Sequence, residues 1–170
     1  MSRPCTVWLT GLSGAGKTTL AREVERRLRA AGRPVTVLDG DLLRQGLCKD
    51  LGLDPASRAE NVRRAAEVAR LMNDAGLTVL AAFVSPYEAD RARAREIVGP
   101  ERFRLVHLAT PLEVCRARDP KGLYARSAQG ALPGLTGVDA PYEPPAEPAL
   151  VIDTAAVDLP RAAERVIALL

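Results

Sequence analysis

The chain has 170 residues, of which 47% are hydrophobic and 26% are charged, and its formal net charge is +3. This length suits one domain, residues 1–170, with a substantial core. No apolar run approaches the roughly 20 residues of a membrane-spanning helix. With aromatic residues at 4% and no block of basic residues, a nucleic-acid groove is not expected. The mild basic charge favours a pocket for a small polyanion.

The cysteines and the first residues predict a cytoplasmic location. Cys5, Cys48 and Cys115 are odd in number, far apart in sequence and without a CxxC pair, which indicates unpaired thiols in a reducing compartment. The opening "MSRPC", residues 1–5, runs directly into the strand-like "TVWLT". This leaves no room for the apolar region of a secretory leader.

Short apolar runs alternate with longer amphipathic stretches along the chain. In chain order, the pattern predicts strands at 6–10, 35–39, 78–84, 103–108 and 150–152, and helices at about 17–31, 55–75, 86–98, 111–118 and 159–169. Such alternation predicts an α/β fold in three layers, with a five-stranded parallel sheet and helices on both faces.

Three helix starts carry a capping side chain before proline: Asp54-Pro55, Ser85-Pro86 and Thr110-Pro111. Each pair predicts an N-cap followed by proline at the first helical position. A glutamate three residues after Ser85, and another three residues after Thr110, also give the capping-box spacing.

One stretch, residues 119–148, has no clear periodicity and is rich in proline and glycine. A loop of this length in a compact domain is usually either disordered or functional. We interpret it as a lid over the site, and we call it the lid segment.

The stretch "WLTGLSGAGKTTL" places a Gly-x4-Gly-Lys-Thr motif, residues 11–18, between a strand and a helix. This is the context of a phosphate-binding loop, in which backbone N–H groups and the helix dipole face an anion. Lys17 is expected to reach the β- and γ-phosphates, and Thr18 to bind Mg²⁺. The motif therefore predicts binding of a nucleoside triphosphate.

Two acids follow the second strand in "VTVLDGDLLRQGL". Because the carboxyl ends of parallel strands carry the ligand sites, Asp39 and Asp41 should lie beside the phosphate loop. A kinase needs a carboxylate near the metal and another near the attacking hydroxyl. Asp39 suits the metal and Asp41 the acceptor, although the two roles could be exchanged.

Basic residues near these acids suggest an anionic acceptor. Arg44 lies one turn after Asp41, and Arg58 and Asn61 share one face of the next predicted helix. Guanidinium groups match phosphate and sulfate geometry. A single arginine taken alone more often belongs to a solvated helix face.

Together these residues resemble the adenylylsulfate kinase (APS kinase) family from residue 6 to about 155. The resemblance rests on "GLSGAGKTT", "LDGDLLRQGL", "RAENVRRAAEVARLMNDAG", "FVSPYEADR", "TPLEVCRARDPKGLY" and "GLTGVDAPYEPP". It implies a P-loop kinase fold, Mg²⁺, usually a homodimer, and a role in sulfate assimilation. The implied reaction transfers the ATP γ-phosphate to the ribose 3′-hydroxyl of adenylyl sulfate.

The resemblance also implies roles for particular residues. The ATP site would comprise Gly11, Leu12, Ser13, Gly14, Ala15, Gly16, Lys17, Thr18, Thr19 and Arg118, the last against the adenine. The adenylyl sulfate site would comprise Asp41, Arg44, Leu53, Arg58, Asn61, Val84, Ser85, Lys121, Leu135 and Thr136. Ser85 matches a serine considered in the family as a phosphoserine intermediate, but it also fits the predicted N-cap.

The departures from the family pattern lie on the acceptor side. Leu53 and Leu135 stand where the family has two phenylalanines that sandwich the acceptor adenine, and Glu88 stands where it usually has arginine. Two other functions therefore stay open: a kinase for a different nucleotidyl or small hydroxylated acceptor, and a non-catalytic nucleotide-binding domain.

Overall fold

The computed structural model describes residues 3–170; residues 1–2, part of the stretch from which no leader is expected, lie outside it. The strands are β1 (Thr6–Thr10), β2 (Val35–Asp39), β3 (Thr78–Ala82), β4 (Phe103–Leu108) and β5 (Leu150–Ile152). The α-helices are α1 (Lys17–Ala30), α2 (Gly40–Gln45), α3 (Pro55–Asp74), α4 (Glu88–Val98), α5 (Leu112–Arg118), α6 (Leu123–Ala128) and α7 (Leu159–Ile167), with a 3₁₀ turn at Pro100–Arg102.

The five strands form one parallel sheet in the order β2-β3-β1-β4-β5. The sheet is covered on both faces, so its central strand β1 is buried throughout. Val7 and Leu9 enter a core that also contains residues of α1 and α7, whereas Trp8 enters a second core with residues of α3 and α4. The predicted three-layer α/β fold is therefore confirmed.

The sheet order brings the carboxyl ends of β2, β3 and β1 side by side. Asp39 ends β2, Ser85 follows β3, and the phosphate loop follows β1. This edge is where parallel α/β sheets bind ligands.

The predicted strands agree with the structure except for β3, which ends at Ala82 rather than at residue 84. The Asp54 cap is confirmed, because its carboxylate accepts the Ser57 N–H at 2.9 Å. The two other predicted caps are wrong. Helix α4 starts at Glu88 and α5 at Leu112, and neither has a side-chain cap.

The physical reason is that both hydroxyls are bonded elsewhere. Ser85 has a φ of 39° and is 4% exposed, and its Oγ accepts the Trp8 Nε1–H at 3.1 Å. Thr110 instead bonds Thr154, with 2.8 Å between the two hydroxyl oxygens.

The lid segment contains more regular structure than its composition predicts. It contains α6, and the Leu135 carbonyl accepts N–H groups from three residues of a tight turn. Its distal part returns to the sheet, where the Tyr142 hydroxyl lies 3.0 Å from the Thr10 hydroxyl. Among residues 3–170, no helix is long and apolar enough to cross a membrane.

Candidate active site

The phosphate loop joins β1 to α1, and its shape requires glycine. Gly14 has a φ of 80°, and a Cβ there would lie 2.8 Å from the Cys115 carbonyl oxygen. Gly16 is the N-cap of α1 and provides no side-chain cap. The first N–H groups of a 14-residue helix are thus left for an anion.

Lys17 folds back over this loop. Its Nζ donates to the carbonyls of Gly11 at 2.8 Å and Leu12 at 2.7 Å. Burial lowers the pKa of Lys17 to about 8, and the nearby ammonium of Lys121 adds to the shift. Because this pKa lies close to neutral pH, the protonation of Lys17 depends on its surroundings. A bound phosphate would favour the charged form.

Thr18 and Asp39 fit a magnesium site. The Thr18 hydroxyl donates to Asp39 Oδ2 at 2.6 Å, while Asp39 Oδ1 accepts the Asp41 N–H at 2.9 Å. The Thr18 hydroxyl and the Asp39 carboxylate both offer hard oxygen ligands, which Mg²⁺ prefers. Within the described residues no cluster of three metal-binding side chains occurs.

Asp41 lies on the first turn of α2 and forms an ion pair with Lys121, which comes from the lid segment. The two side chains are about half exposed, at 56% and 47%. Lys121, Asp41, Lys17 and Thr18 line the same cavity. The predicted acceptor-side carboxylate, Asp41, therefore lies in the same cavity as the phosphate loop.

The predicted acceptor-binding residues also lie in this cavity. Arg44 donates to the carbonyls of Leu51 and Gly52, both at 3.1 Å. Arg58 donates to Leu53 O at 2.7 Å and to Gly134 O in the lid segment at 2.8 Å. Partial burial lowers the pKa of the Arg58 guanidinium from its ordinary value.

Two buried polar atoms in this region have no hydrogen-bond partner among residues 3–170. They are Asn61 Oδ1 and Thr136 Oγ1, and both residues line the cavity. Because unpaired buried polar groups are costly, such atoms indicate a ligand that supplies the missing bonds.

The cavity has a volume of about 1000 Å³ and extends from the phosphate loop to the acceptor-side residues. Leu53 and Leu135 both line it, but they differ in exposure, at 44% and 9%. Val84 and Thr19 line it as well. Of the predicted site residues, Gly11, Leu12 and Ala15 do not line the cavity.

Ser85 lines the cavity, but its hydroxyl is hydrogen-bonded to side chains of β1. In addition to the bond from Trp8, it lies 3.0 Å from the Thr10 hydroxyl. Glu88 does not line the cavity and pairs instead with the buried Arg91. Glu88, where the family usually has arginine, therefore lies outside the cavity wall.

Two residues of the site were missed by the sequence analysis. Thr154, after β5, donates to Ala15 O at 2.8 Å and accepts from Arg118 at 2.7 Å. Tyr124 of α6 donates to Ser13 O at 2.7 Å. Tyr124 lies in the quoted "DPKGLY" motif, which was the one available signal. Thr154 had no motif to mark it.

A phosphate loop that shares one cavity with a carboxylate–lysine pair and anion-binding side chains defines a P-loop kinase. Comparison with known proteins specifies which kind. The adenylylsulphate kinase family model matches residues 3–153. The chain belongs to the adenylylsulphate kinase family, as the motifs predicted.

Individual relatives agree. An adenylyl-sulfate kinase from Shewanella denitrificans is 54% identical over 156 residues, which are 92% of this chain and 76% of the relative. The bifunctional enzyme NodQ of Azospirillum brasilense is 51% identical over 168 residues; these are 99% of this chain but 27% of NodQ. The structure of the Mycobacterium tuberculosis APS kinase CysC in complex with AMPPNP and APS has a TM-score of 0.95 and 44% identity, covering 99% of this chain and 98% of that one.

Proposed function

We propose that this chain is an ATP-dependent kinase that phosphorylates the ribose 3′-hydroxyl of adenylyl sulfate, giving 3′-phosphoadenylyl sulfate and ADP. The observation that carries the proposal is the shared cavity of about 1000 Å³, in which Asp41 and Lys121 lie with the phosphate loop. The mycobacterial APS kinase, to which this chain is 44% identical, forms a complex with AMPPNP and APS, which supports the proposal of ATP and adenylyl sulfate as the two substrates.

In the proposed reaction Asp41 is the general base. Its carboxylate takes the proton of the 3′-hydroxyl, whose oxygen then attacks the γ-phosphorus while the bond to the β,γ-bridging oxygen breaks. ADP leaves with that bridging oxygen. Direct in-line transfer needs no enzyme-bound intermediate, and the buried, doubly bonded hydroxyl of Ser85 supports this route.

Lys17 and the loop N–H groups hold the phosphates and offset the charge that develops during transfer. Thr18 and Asp39, whose side chains are hydrogen-bonded to each other, would hold Mg²⁺. When bound, Mg²⁺ would neutralise phosphate charge and align the β- and γ-phosphates.

On the acceptor side, Arg44 and Arg58 would hold the phosphosulfate anion. Asn61 and Thr136 would satisfy their unpaired oxygens on polar groups of the same ligand. Arg118, which donates to Gly14 O at 3.2 Å, would face the ATP adenine. Each of these assignments extends the family resemblance to the side chains that line the cavity.

The experiment is a comparison of acceptors under fixed Mg·ATP. Adenylyl sulfate, its guanylyl and cytidylyl analogues, AMP and small polyols are offered in a coupled ADP-release assay. The proposal predicts the highest kcat/KM with adenylyl sulfate. A higher value for another acceptor would favour the second candidate, a kinase for a different nucleotidyl compound. The aliphatic side chains of Leu53 and Leu135 favour that candidate.

A homodimer is also proposed, and light scattering of the purified protein tests it.

A further inference from the structure

The carbonyl groups of the phosphate loop are held by side chains, three of which come from outside the loop. Every carbonyl from residue 11 to residue 15 accepts a side-chain hydrogen bond. The donors, in loop order, are Lys17 for Gly11 and Leu12, Tyr124 for Ser13, Arg118 for Gly14, and Thr154 for Ala15. The orientation of each loop peptide therefore depends on a named side chain.

Among these donors, Tyr124 belongs to the lid segment. Its hydroxyl donates to Ser13 O at 2.7 Å, and its side chain is 6% exposed. Burial raises the pKa of Tyr124 to about 12, so the hydroxyl keeps its proton at any physiological pH. The helix that carries it is fixed at its start, because the Asp119 carboxylate accepts the N–H groups of Tyr124 and Ala125 at 3.1 and 3.0 Å.

Holding the Ser13 carbonyl also orients a neighbouring donor. The Ser13 C=O and the Gly14 N–H belong to one planar trans peptide, in which the two bonds point in opposite directions. Fixing the oxygen on Tyr124 therefore fixes the direction of the Gly14 N–H. Gly14 lines the cavity, where the nucleotide phosphates are proposed to bind.

We propose that Tyr124 is a positioning residue that couples the lid segment to the nucleotide site through the Ser13–Gly14 peptide. Suppose that the nucleotide binds best when the Ser13 carbonyl is bonded to Tyr124. Nucleotide binding will then stabilise the docked position of α6, in which this bond is made. By the reciprocity of linked equilibria, a docked α6 will then strengthen nucleotide binding. This inference rests on the proposed nucleotide site, but it does not depend on which acceptor is used.

The test is Tyr124→Phe, which keeps the ring and removes the hydroxyl. Tyr142→Phe is the matched control, because it removes another lid hydroxyl that bonds Thr10 instead of the phosphate loop. ADP affinity is measured by calorimetry, and hydrogen exchange of α6 is followed with and without ADP. Tyr124→Phe should raise the ADP Kd and the KM for ATP about three- to tenfold, the range for one lost hydrogen bond. The KM for the acceptor should stay near the parent value.

In the parent protein, ADP alone should slow hydrogen exchange in α6, and in Tyr124→Phe that protection should be largely lost. Tyr142→Phe should leave both ADP affinity and α6 protection unchanged. An ADP Kd in Tyr124→Phe equal to that of the parent would overturn the coupling. So would equal losses of ATP and acceptor affinity, which a purely structural role predicts.

The exchange measurement on the parent stands even if the variant fails to fold. Unchanged α6 exchange on ADP binding would overturn the inference without any variant. If the parent binds no ADP at all, the proposed function itself is wrong, so the two failures are distinguishable.

Discussion

The lowered pKa of Lys17 makes a quantitative prediction for nucleotide binding. Burial holds this pKa at about 8, so raising the pH through 8 removes the proton that gives Lys17 its charge. Bound phosphates favour the charged form, and affinity must therefore fall as the pH rises. At pH 9.5 only about 1 in 30 free protein molecules would carry the charge, so Kd should rise roughly 30-fold from pH 7. A lysine with an ordinary pKa would change Kd by only about 10% over this range.

The assay is calorimetric titration with a non-hydrolysable ATP analogue from pH 7 to pH 9.5. Lys17→Arg is the matched control, because a guanidinium stays charged at every pH used. It should bind more weakly throughout but with little pH dependence. Lys121→Ala removes the neighbouring ammonium that helps lower the pKa, so the fall in affinity should shift to higher pH. A parent affinity that stays level up to pH 9.5 would refute the reasoning. So would a Lys17→Arg variant that loses affinity in parallel with the parent.

Three further predictions address the acids, the lid and the acceptor wall. Asp41→Asn keeps the size but removes the base, so kcat should fall by roughly 10²–10⁴ in steady-state assays. Asp39→Asn should instead raise the Mg²⁺ concentration that gives half-maximal rate, because the carboxylate bonded to Thr18 is lost. Hydrogen exchange across the lid segment, residues 119–148, should be slowest when ligands fill both sites, since closure excludes water from the transferring group. Leu53→Phe combined with Leu135→Phe should lower the KM for adenylyl sulfate and leave the KM for ATP unchanged, because aromatic stacking is worth roughly 1–3 kcal/mol per base.

Each of these has a contrary result. If the two aspartate variants show interchanged effects, their roles are the reverse of those assigned. Lid exchange that is the same with and without both ligands would remove the closing role. A double phenylalanine variant that binds adenylyl sulfate no better would mean that the base does not lie between these two positions. Leu53 is much more exposed than Leu135, so the double variant also tests whether both positions contact the same base.

Much of the fold was predictable because its signals are local. Apolar runs gave the five strands within two residues, and the glycine-rich motif located the phosphate loop. Asp54 was recognised as a cap because its carboxylate bonds its own helix, only three residues away. Where a polar group satisfies itself nearby, its role can be read from sequence.

The errors arise where a side chain bonds a distant segment. Ser85 has the local pattern of an N-cap, yet its hydroxyl bonds Trp8, 77 residues away. Thr110 is similar, because its partner Thr154 follows β5, 44 residues away. Short helix α2 was missed because Asp39 both ends β2 and caps α2, leaving no loop between them. The contact between Tyr124 and Ser13 spans 111 residues and was equally invisible.

The most direct test of the central claim is the position of the transferred phosphate. Purified protein, Mg·ATP and adenylyl sulfate are incubated, and the nucleotide product is identified by phosphorus NMR and mass spectrometry, with the 3′-deoxy analogue as matched control. We expect one new phosphate on the 3′-oxygen, one ADP released per product, no transfer to the 3′-deoxy analogue, and a greatly reduced rate in Asp41→Asn. Phosphate at another position, or equal turnover of the 3′-deoxy analogue, would contradict the account.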